Sequence, residues 1–314
     1  MRVLFVLSKS KEWKAGLPSI IFQGESLKND NVTVDYFVYQ RTGLTNYVKA
    51  VQLLRKRIKN NNYDIIHAHY SYSSLVTILS FPKVPLITSF MGSDILGFRK
   101  IDKIIKIVVE KFSDIIIVKS RQMAGKINCK EKLVIIPNGV NYNTFKAIDK
   151  FLAKKRLGLH PEIKYILWVG NSKRKEKNFK LVREVLRIIK EANVHIELIQ
   201  VFGESQKKLN EYYSACDVFL LTSLYEGSPN VIKEAMACNC PIVSTDIGDV
   251  REVVRNTKGC YITSFDPNDV AEKIKMALNF GKRTNGRDHI KHLEINVIAK
   301  KIINVYEEIL NIDE

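Results

Sequence analysis

The segment Asp114-Ile115-Ile116-Ile117-Val118 is apolar along its whole run rather than at alternate positions, the pattern of a strand covered on both faces. Similar short runs stand near residues 2 to 7, 32 to 38, 63 to 67, 85 to 90 and 133 to 136, with helix-period segments between them. Strand and helix alternating in this way predict a doubly wound α/β unit built on a parallel sheet. The first run, Arg2 to Leu7, is too short for a membrane span or for the apolar region of a secretion signal with its cleavage site, and it suits a first buried strand.

The alternation pauses at Pro137-Asn138-Gly139-Val140-Asn141 and through a charged stretch from Lys146 to Arg156 that ends in Gly158, His160 and Pro161. This reads as an interdomain linker. It restarts with Tyr165-Ile166-Leu167-Trp168-Val169-Gly170 and continues through strands near 195 to 201, 218 to 223, 241 to 245 and 260 to 263. Two domains are therefore expected, residues 1–148 and 149–294, followed by a helix over 295–314 with Ile295, Ile298, Ile302, Tyr306 and Ile309 on one face. Two parallel sheets facing across a cleft would bind ligands outside the carboxyl ends of their strands.

Composition narrows the setting. The five cysteines, Cys129, Cys216, Cys238, Cys240 and Cys260, include no Cys-x-x-Cys pair, so zinc and disulfide frameworks lack their spacing and free thiols in a reducing compartment are expected. No stretch of about 18 uncharged apolar residues occurs, so the chain is expected to be soluble and cytoplasmic. The net charge of +17 suits nucleic acid, an anionic membrane or an anionic small substrate, and a Lys- and Asn-rich genome would give the same bias.

The strand Val218 to Ser223 runs into Leu224-Tyr225-Glu226-Gly227-Ser228-Pro229 and then a helix from Asn230 to Ala237, with Pro229 placed as a first-turn proline. The amides of Asn230, Val231 and Ile232 then point outward at the positive end of that helix, a ready phosphate site. Glu234 lies inside an apolar helix and must have partners there. A ribose diol supplies two donors; a lysine or arginine would serve instead as a structural salt bridge. The loop Gly170 to Asn178 carries Lys173, Arg174, Lys175 and Lys177, which read either as a clamp for a diphosphate leaving group or as a solvated charge run.

The run Glu226-Gly227-Ser228-Pro229-Asn230-Val231-Ile232-Lys233-Glu234-Ala235-Met236-Ala237-Cys238-Asn239-Cys240-Pro241-Ile242-Val243-Ser244-Thr245 resembles the donor-site signature of glycosyltransferase family 4, the retaining group 1 glycosyl transferases of GT-B fold. Asp64 to His69, Gly92-Ser93-Asp94, Pro137 to Val140 and Asp246 to Val250 resemble further landmarks of that family in the same order. The resemblance implies two Rossmann-like domains, a nucleotide-sugar donor in the second, an acceptor mainly in the first, and no cofactor or obligatory metal. It also implies that the last helix packs back on the first domain.

Carried over by residue, the resemblance puts Glu234 on the ribose, Glu226 beside the donor sugar, and the backbone of Gly227, Ser228, Pro229, Asn230 and Val231 around the donor. Lys177 matches the family lysine on the donor phosphates. The family arginine falls on Asn171, with Arg174 or Lys173 as substitutes. Gly16, in Lys14 to Ser19, matches one glycine of a loop that approaches the diphosphate, or is simply a turn glycine. Met91 replaces a histidine that commonly precedes Gly-x-Asp, and methionine can neither take a proton nor donate a strong hydrogen bond. Asp94 and His69 are then the acceptor-side candidates, the first alternatively a helix cap and the second a core histidine.

The function expected is sugar transfer to a glycan or lipid-linked glycan in cell-envelope or exopolysaccharide synthesis. The basic stretches Arg55 to Lys59 and Arg99 to Lys106 could rest on an anionic inner-membrane surface, or be solvated helix faces. A same-fold epimerase or hydrolase is the alternative within the fold. No nucleic-acid partner is expected, since no helix-turn-helix, zinc or RNA-binding aromatic signature accompanies the charge.

Overall fold

In a computed structural model, residues 1–9, 18–28, 32–96, 100–191 and 196–311 are described. The chain divides into two compact units, Met1–Gly139 with Ile295–Glu314, and Val140–Glu294.

The first unit is built on β1 (Arg2–Lys9), β2 (Thr33–Gln40), β3 (Ile65–His69), β4 (Leu86–Ser89), β5 (Ile115–Val118) and β6 (Leu133–Ile135). Its helices are α1 (Pro18–Leu27), α2 (Leu44–Lys59), α3 (Ser71–Leu79), α4 (Ser93–Leu96), α5 (Lys100–Phe112) and α6 (Arg121–Ala124). All pairings are parallel, in the order β2-β1-β3-β4-β5-β6. Leu4, Val6, Ile66, Ala68 and Leu86 bury against the layer of α2 and α3. Their neighbours Val3, Phe5, Ile65 and His67 are buried too, so these strands have no solvent face. That is the cause of their unbroken apolar runs. The last helix, Ile295–Asn311, belongs to this unit; it packs on α1, and its Tyr306 hydroxyl lies 2.5 Å from Nδ1 of His67.

The second unit orders its strands β11-β10-β9-β7-β8, again all parallel, from β7 (Lys164–Val169), β8 (Ile196–Val201), β9 (Val218–Leu221), β10 (Ile242–Thr245) and β11 (Cys260–Thr263). Its helices are α7 (Lys150–Leu157), α8 (Phe179–Glu191), α9 (Gln206–Ala215), α10 (Asn230–Ala237), α11 (Val250–Val254), α12 (Pro267–Phe280) and α13 (Gly286–His289). In each unit the strand order reverses once, between β1 and β3 and between β7 and β9, and the loops leaving those strands flank the crevice where ligands of such sheets bind.

The charged stretch from Lys146 to Arg156 is not a free linker. It forms α7, capped by the Asp149 carboxylate on the Leu152 amide at 2.9 Å and closed by Gly158 at φ 68°. The amides of Lys146 and Ile148 donate to Asn210 Oδ1 at 2.9 Å and Ser214 Oγ at 3.2 Å on α9. Lys154, although a lysine, is buried and donates to the carbonyls of Pro161 and Ile163 at 2.6 and 2.7 Å. The chain therefore enters the second unit at Val140 rather than near residue 148. Charge alone did not mark solvent here, because local carbonyls satisfy the ammonium.

Candidate active site

In the second unit two loops meet at the reversal point of the sheet. The loop after β7 ends in a 3-10 turn, Lys175–Lys177, with Asn178 in the left-handed region at φ 51°. Thr222 Oγ1, just past β9, accepts from Trp168 Nε1 at 3.2 Å and donates to the Lys177 carbonyl at 2.9 Å. The Leu224 amide donates to the Glu176 carbonyl at 2.8 Å. These bonds fix the side chains the loops carry. Lys177 Nζ reaches Glu226 Oε1 at 2.6 Å, and Ser223 Oγ donates to the same oxygen at 3.0 Å. Both Lys177 and Glu226 remain partly exposed, so a ligand can reach the pair.

Behind Glu226 the backbone of Gly227 passes very close to Gly248. A Cβ at Gly248, whose φ is +59°, would stand 2.7 Å from the Gly227 carbonyl oxygen and 2.9 Å from that of Glu226. Only glycine fits both the space and the dihedral. Beneath this approach lies a buried ion pair, Lys233 Nζ to Asp249 Oδ2 at 3.0 Å, with Ser228 Oγ donating to the same carboxylate at 2.7 Å and hydrogen-bonded to Lys233. Lys233 is fully buried. The motif loop is thus held by a charge pair under it and a glycine beside it.

Helix α10 begins at Asn230, with Pro229 at its N-cap instead of its first turn. The Ile232 amide turns back to the Pro229 carbonyl at 3.2 Å, so of the three amides expected to face outward this one is engaged. Buried oxygens Asn230 Oδ1 and Asp249 Oδ1 have no hydrogen-bond partner among the described residues.

Glu234 has its carboxylate at the Tyr213 hydroxyl, which donates to Oε2 at 3.0 Å. No salt bridge forms at Glu234 among the described residues. Part of its surface meets solvent, yet burial raises its carboxyl to about 7, with the Tyr213 bond and the Lys233 charge pulling the other way. Tyr213, fully buried on α9, was invisible in the motif, because it stands 21 residues before Glu234 on a different element. Lys233 carried the same signal as Glu234, a charge inside an apolar helix, and could have been read with it.

The remaining donor-side candidates are less committed. Arg174 is exposed and paired with Glu176, its Nε 2.7 Å from Oε1, and Asn171 Oδ1 accepts the Lys173 amide at 2.9 Å. Gly16 lies outside the described residues. Among the described residues no three His, Cys, Asp or Glu side chains converge as metal ligands.

In the first unit, the carboxylate of Asp94 is buried and fully occupied. Its Oδ1 accepts from the amides of Met91 and Gly92 at 3.0 and 2.9 Å, and its Oδ2 from Ser71 at 3.0 Å. Burial outweighs these bonds and brings its carboxyl to about 6. Asp94 lies within α4 and accepts amides that precede it and the first amide of α3, so it ties the loop after β4 to the start of α3 rather than capping its own helix. His69 is fully buried, stacked on His67 with centroids 4.2 Å apart, and neither ring nitrogen has a hydrogen-bond partner among the described residues. Burial pushes its imidazole well below the usual range, so the ring is neutral.

Two parallel-sheet α/β units, one carrying a cation and two carboxylates at its reversal point, define the GT-B class of fold. Residues 22–144 match the family described as Glycosyltransferase Family 4, and residues 196–279 that described as Glycosyl transferases group 1. The chain belongs to this glycosyltransferase family, and it is a transferase enzyme. It is 26% identical over 297 residues to the uncharacterized glycosyltransferase MJ1178 of Methanocaldococcus jannaschii, covering 85% of this chain and 82% of that one. Its fold is similar to sucrose-phosphate synthase from Thermosynechococcus elongatus, with TM-score 0.82, 17% identity, and coverage of 99% and 100%. It is also similar to Anabaena Alr3699/HepE, solved in complex with UDP and glucose, with TM-score 0.74, 16% identity, and coverage of 98% and 100%.

Proposed function

We propose that the protein transfers a sugar, with retention of configuration, from a nucleotide-diphosphate sugar to a glycan or lipid-linked glycan of the cell envelope or an exopolysaccharide. The observation that carries this reading is the Lys177–Glu226 pair held at the reversal point of the second sheet, with the Glu234 carboxylate on the helix that follows. A similar fold, HepE, is solved with UDP and glucose bound, which supports a nucleotide-sugar donor here.

In this reading Glu234 takes the two ribose hydroxyls, the task for which a carboxylate lacking a cationic partner is suited. Lys177 leaves Glu226 for the diphosphate, where a fixed cation meets the charge developing on the leaving group, an effect typically worth several kcal/mol. Glu226, released, faces the donor sugar, and the backbone from Gly227 to Val231 lines it. Arg174 joins the phosphates by exchanging Glu176 for them. Asp94 acts by holding the Met91 and Gly92 amides toward the acceptor, since its own oxygens are filled. Neutral His69 contributes shape and, once a hydroxyl reaches it, one hydrogen bond. No metal is called for, because side-chain cations and amides meet the leaving diphosphate. A lipid-linked acceptor would bring the enzyme to an anionic membrane surface from the cytoplasmic side.

The test is a thermal-shift screen of uridine, guanosine and adenosine diphosphate sugars, followed by product analysis with the best donor, with and without EDTA. One donor class raising the transition temperature, and turnover that requires an added glycan acceptor and survives EDTA, is the expected result. Donor consumption at full rate with no acceptor would replace transfer with epimerisation or hydrolysis.

A further inference from the structure

Helices α2, α3 and α5 lie side by side over one face of the first sheet, α3 touching both neighbours. Eight of the 18 exposed large apolar side chains among the described residues sit on these three helices. On α5, Ile104 and Ile107 are 59% and 60% exposed, with Ile101 and Phe112 close behind. Their helix also turns Lys100, Lys103 and Lys111 to solvent, while its acids Asp102 and Glu110 are buried inward on Tyr72, Lys106 and Asn128. Helix α2 contains no acidic residue, and Leu44, Val48, Arg55, Lys56 and Lys59 face outward from it. The layer therefore presents apolar groups among cations and no exposed helix carboxylate.

Phe81 adds an independent observation. It follows the C-cap of α3 with φ 54°, the left-handed position where glycine ends helices, and it is 72% exposed. Arg55 lies over its ring, 5.0 Å from the centroid. A backbone that favours glycine holds instead a large aromatic ring in solvent, next to a cation. An exposed cation–π contact of this kind returns only about 0.5–1 kcal/mol, little against a strained backbone and an uncovered ring.

We infer that the α2–α3–α5 layer of the first unit is a face that adsorbs to an anionic phospholipid bilayer, with Phe81, Ile104 and Ile107 entering the acyl boundary and Arg55, Lys100, Lys103 and Lys111 meeting lipid phosphates. Charge complementarity selects this occupant: a protein partner would need an acidic apolar surface, whereas an anionic bilayer offers both components together. The inference deepens the reading of a lipid-linked acceptor, and vesicle binding is measured without donor or acceptor, so the two can fail separately.

The experiment is sedimentation of the full chain with vesicles of phosphatidylcholine alone or with 30% phosphatidylglycerol, beside thermal shifts with the donor. The wild type pellets with the anionic vesicles and not with neutral ones. Ile104→Ser/Ile107→Ser weakens partitioning by tenfold or more, as loss of two inserted apolar side chains requires, roughly. Lys100→Gln/Lys103→Gln/Lys111→Gln weakens it by about a hundredfold at low salt. Phe81→Gly lowers binding while leaving the transition temperature equal or higher, since glycine suits that backbone. The donor shift is unchanged in all three. No pelleting, equal pelleting of the variants, or a concentration-dependent dimer that these same substitutions abolish would each overturn the inference, the last by giving the face to a second copy of the chain.

Discussion

Glu234 offers the most quantitative handle on the donor site. Its carboxyl stands at about 7 against an ordinary 4.5, chiefly through burial. A ribose diol donates two hydrogen bonds, which only the ionised form accepts in full. With a value of about 7, roughly one carboxyl in eleven is charged at pH 6 and about ten in eleven at pH 8, so apparent donor affinity should rise about tenfold across that interval. Nucleotide-diphosphate sugars are diphosphate diesters and hold constant charge over the same range, so the slope belongs to the protein. In Glu234→Gln the slope disappears and affinity stays low. The stability of the free protein moves in the opposite sense. A carboxyl raised in the folded state binds more protons there than in the unfolded chain between pH 4.5 and 7, so its contribution is fully present below 4.5 and is lost as pH rises through 7. The full shift corresponds to about 3 kcal/mol, and solvent contact at Glu234 reduces this to about 1–2 kcal/mol. Glu234→Gln should therefore melt a few degrees above wild type at pH 8 without ligand, and lose the donor-induced shift. Isothermal titration and scanning calorimetry at pH 6, 7 and 8 measure both. Donor affinity independent of pH in the wild type, or equally pH-dependent in Glu234→Gln, would refute the assignment.

Two further changes test the scaffold of the motif loop. Lys233→Met strands the buried Asp249 carboxylate and should cost about 3–5 kcal/mol, whereas Lys233→Met/Asp249→Leu should recover most of it in a urea titration. Equal losses in the single and double variants would mean that packing, not the charge pair, holds the loop. Gly248→Ala puts a methyl group 2.7 Å from the Gly227 carbonyl and so displaces Glu226; kcat/KM should fall on the order of a hundredfold with the circular dichroism spectrum unchanged. Undiminished transfer would show that the close approach has no bearing on the site.

The two scaffolding devices hold the loop after β9 that carries the partly exposed ion pair. Lys177 and Glu226 lie 49 residues apart in sequence and come within 2.6 Å because each loop is tied to the other through Thr222, Glu176 and Leu224 backbone or side-chain bonds. The first unit uses the same logic with different chemistry. There the Asp94 carboxylate replaces the buried ion pair, gathering three amides of two loops.

Much of this was legible along the chain. Unbroken apolar runs such as Ile115 to Val118 announced strands buried on both faces, because a parallel sheet clad by helices leaves no polar side for alternation to record. The glutamate spacing around Gly227 and the cations before Asn178 marked both loops of the donor site. Three matters were decided only by the folded chain. The stretch from Lys146 to Arg156 supplies α7 of the second unit, and Lys154 can be buried there because the carbonyls of Pro161 and Ile163 accept its ammonium. Glu234 found Tyr213 rather than a cation because α9 happens to pass beneath α10. Asp94 found backbone amides and so lost the freedom a proton acceptor needs. In each case the sequence fixes which group must be satisfied, since a buried charge without partners is too costly to keep, and only the arrangement in space fixes which partner satisfies it.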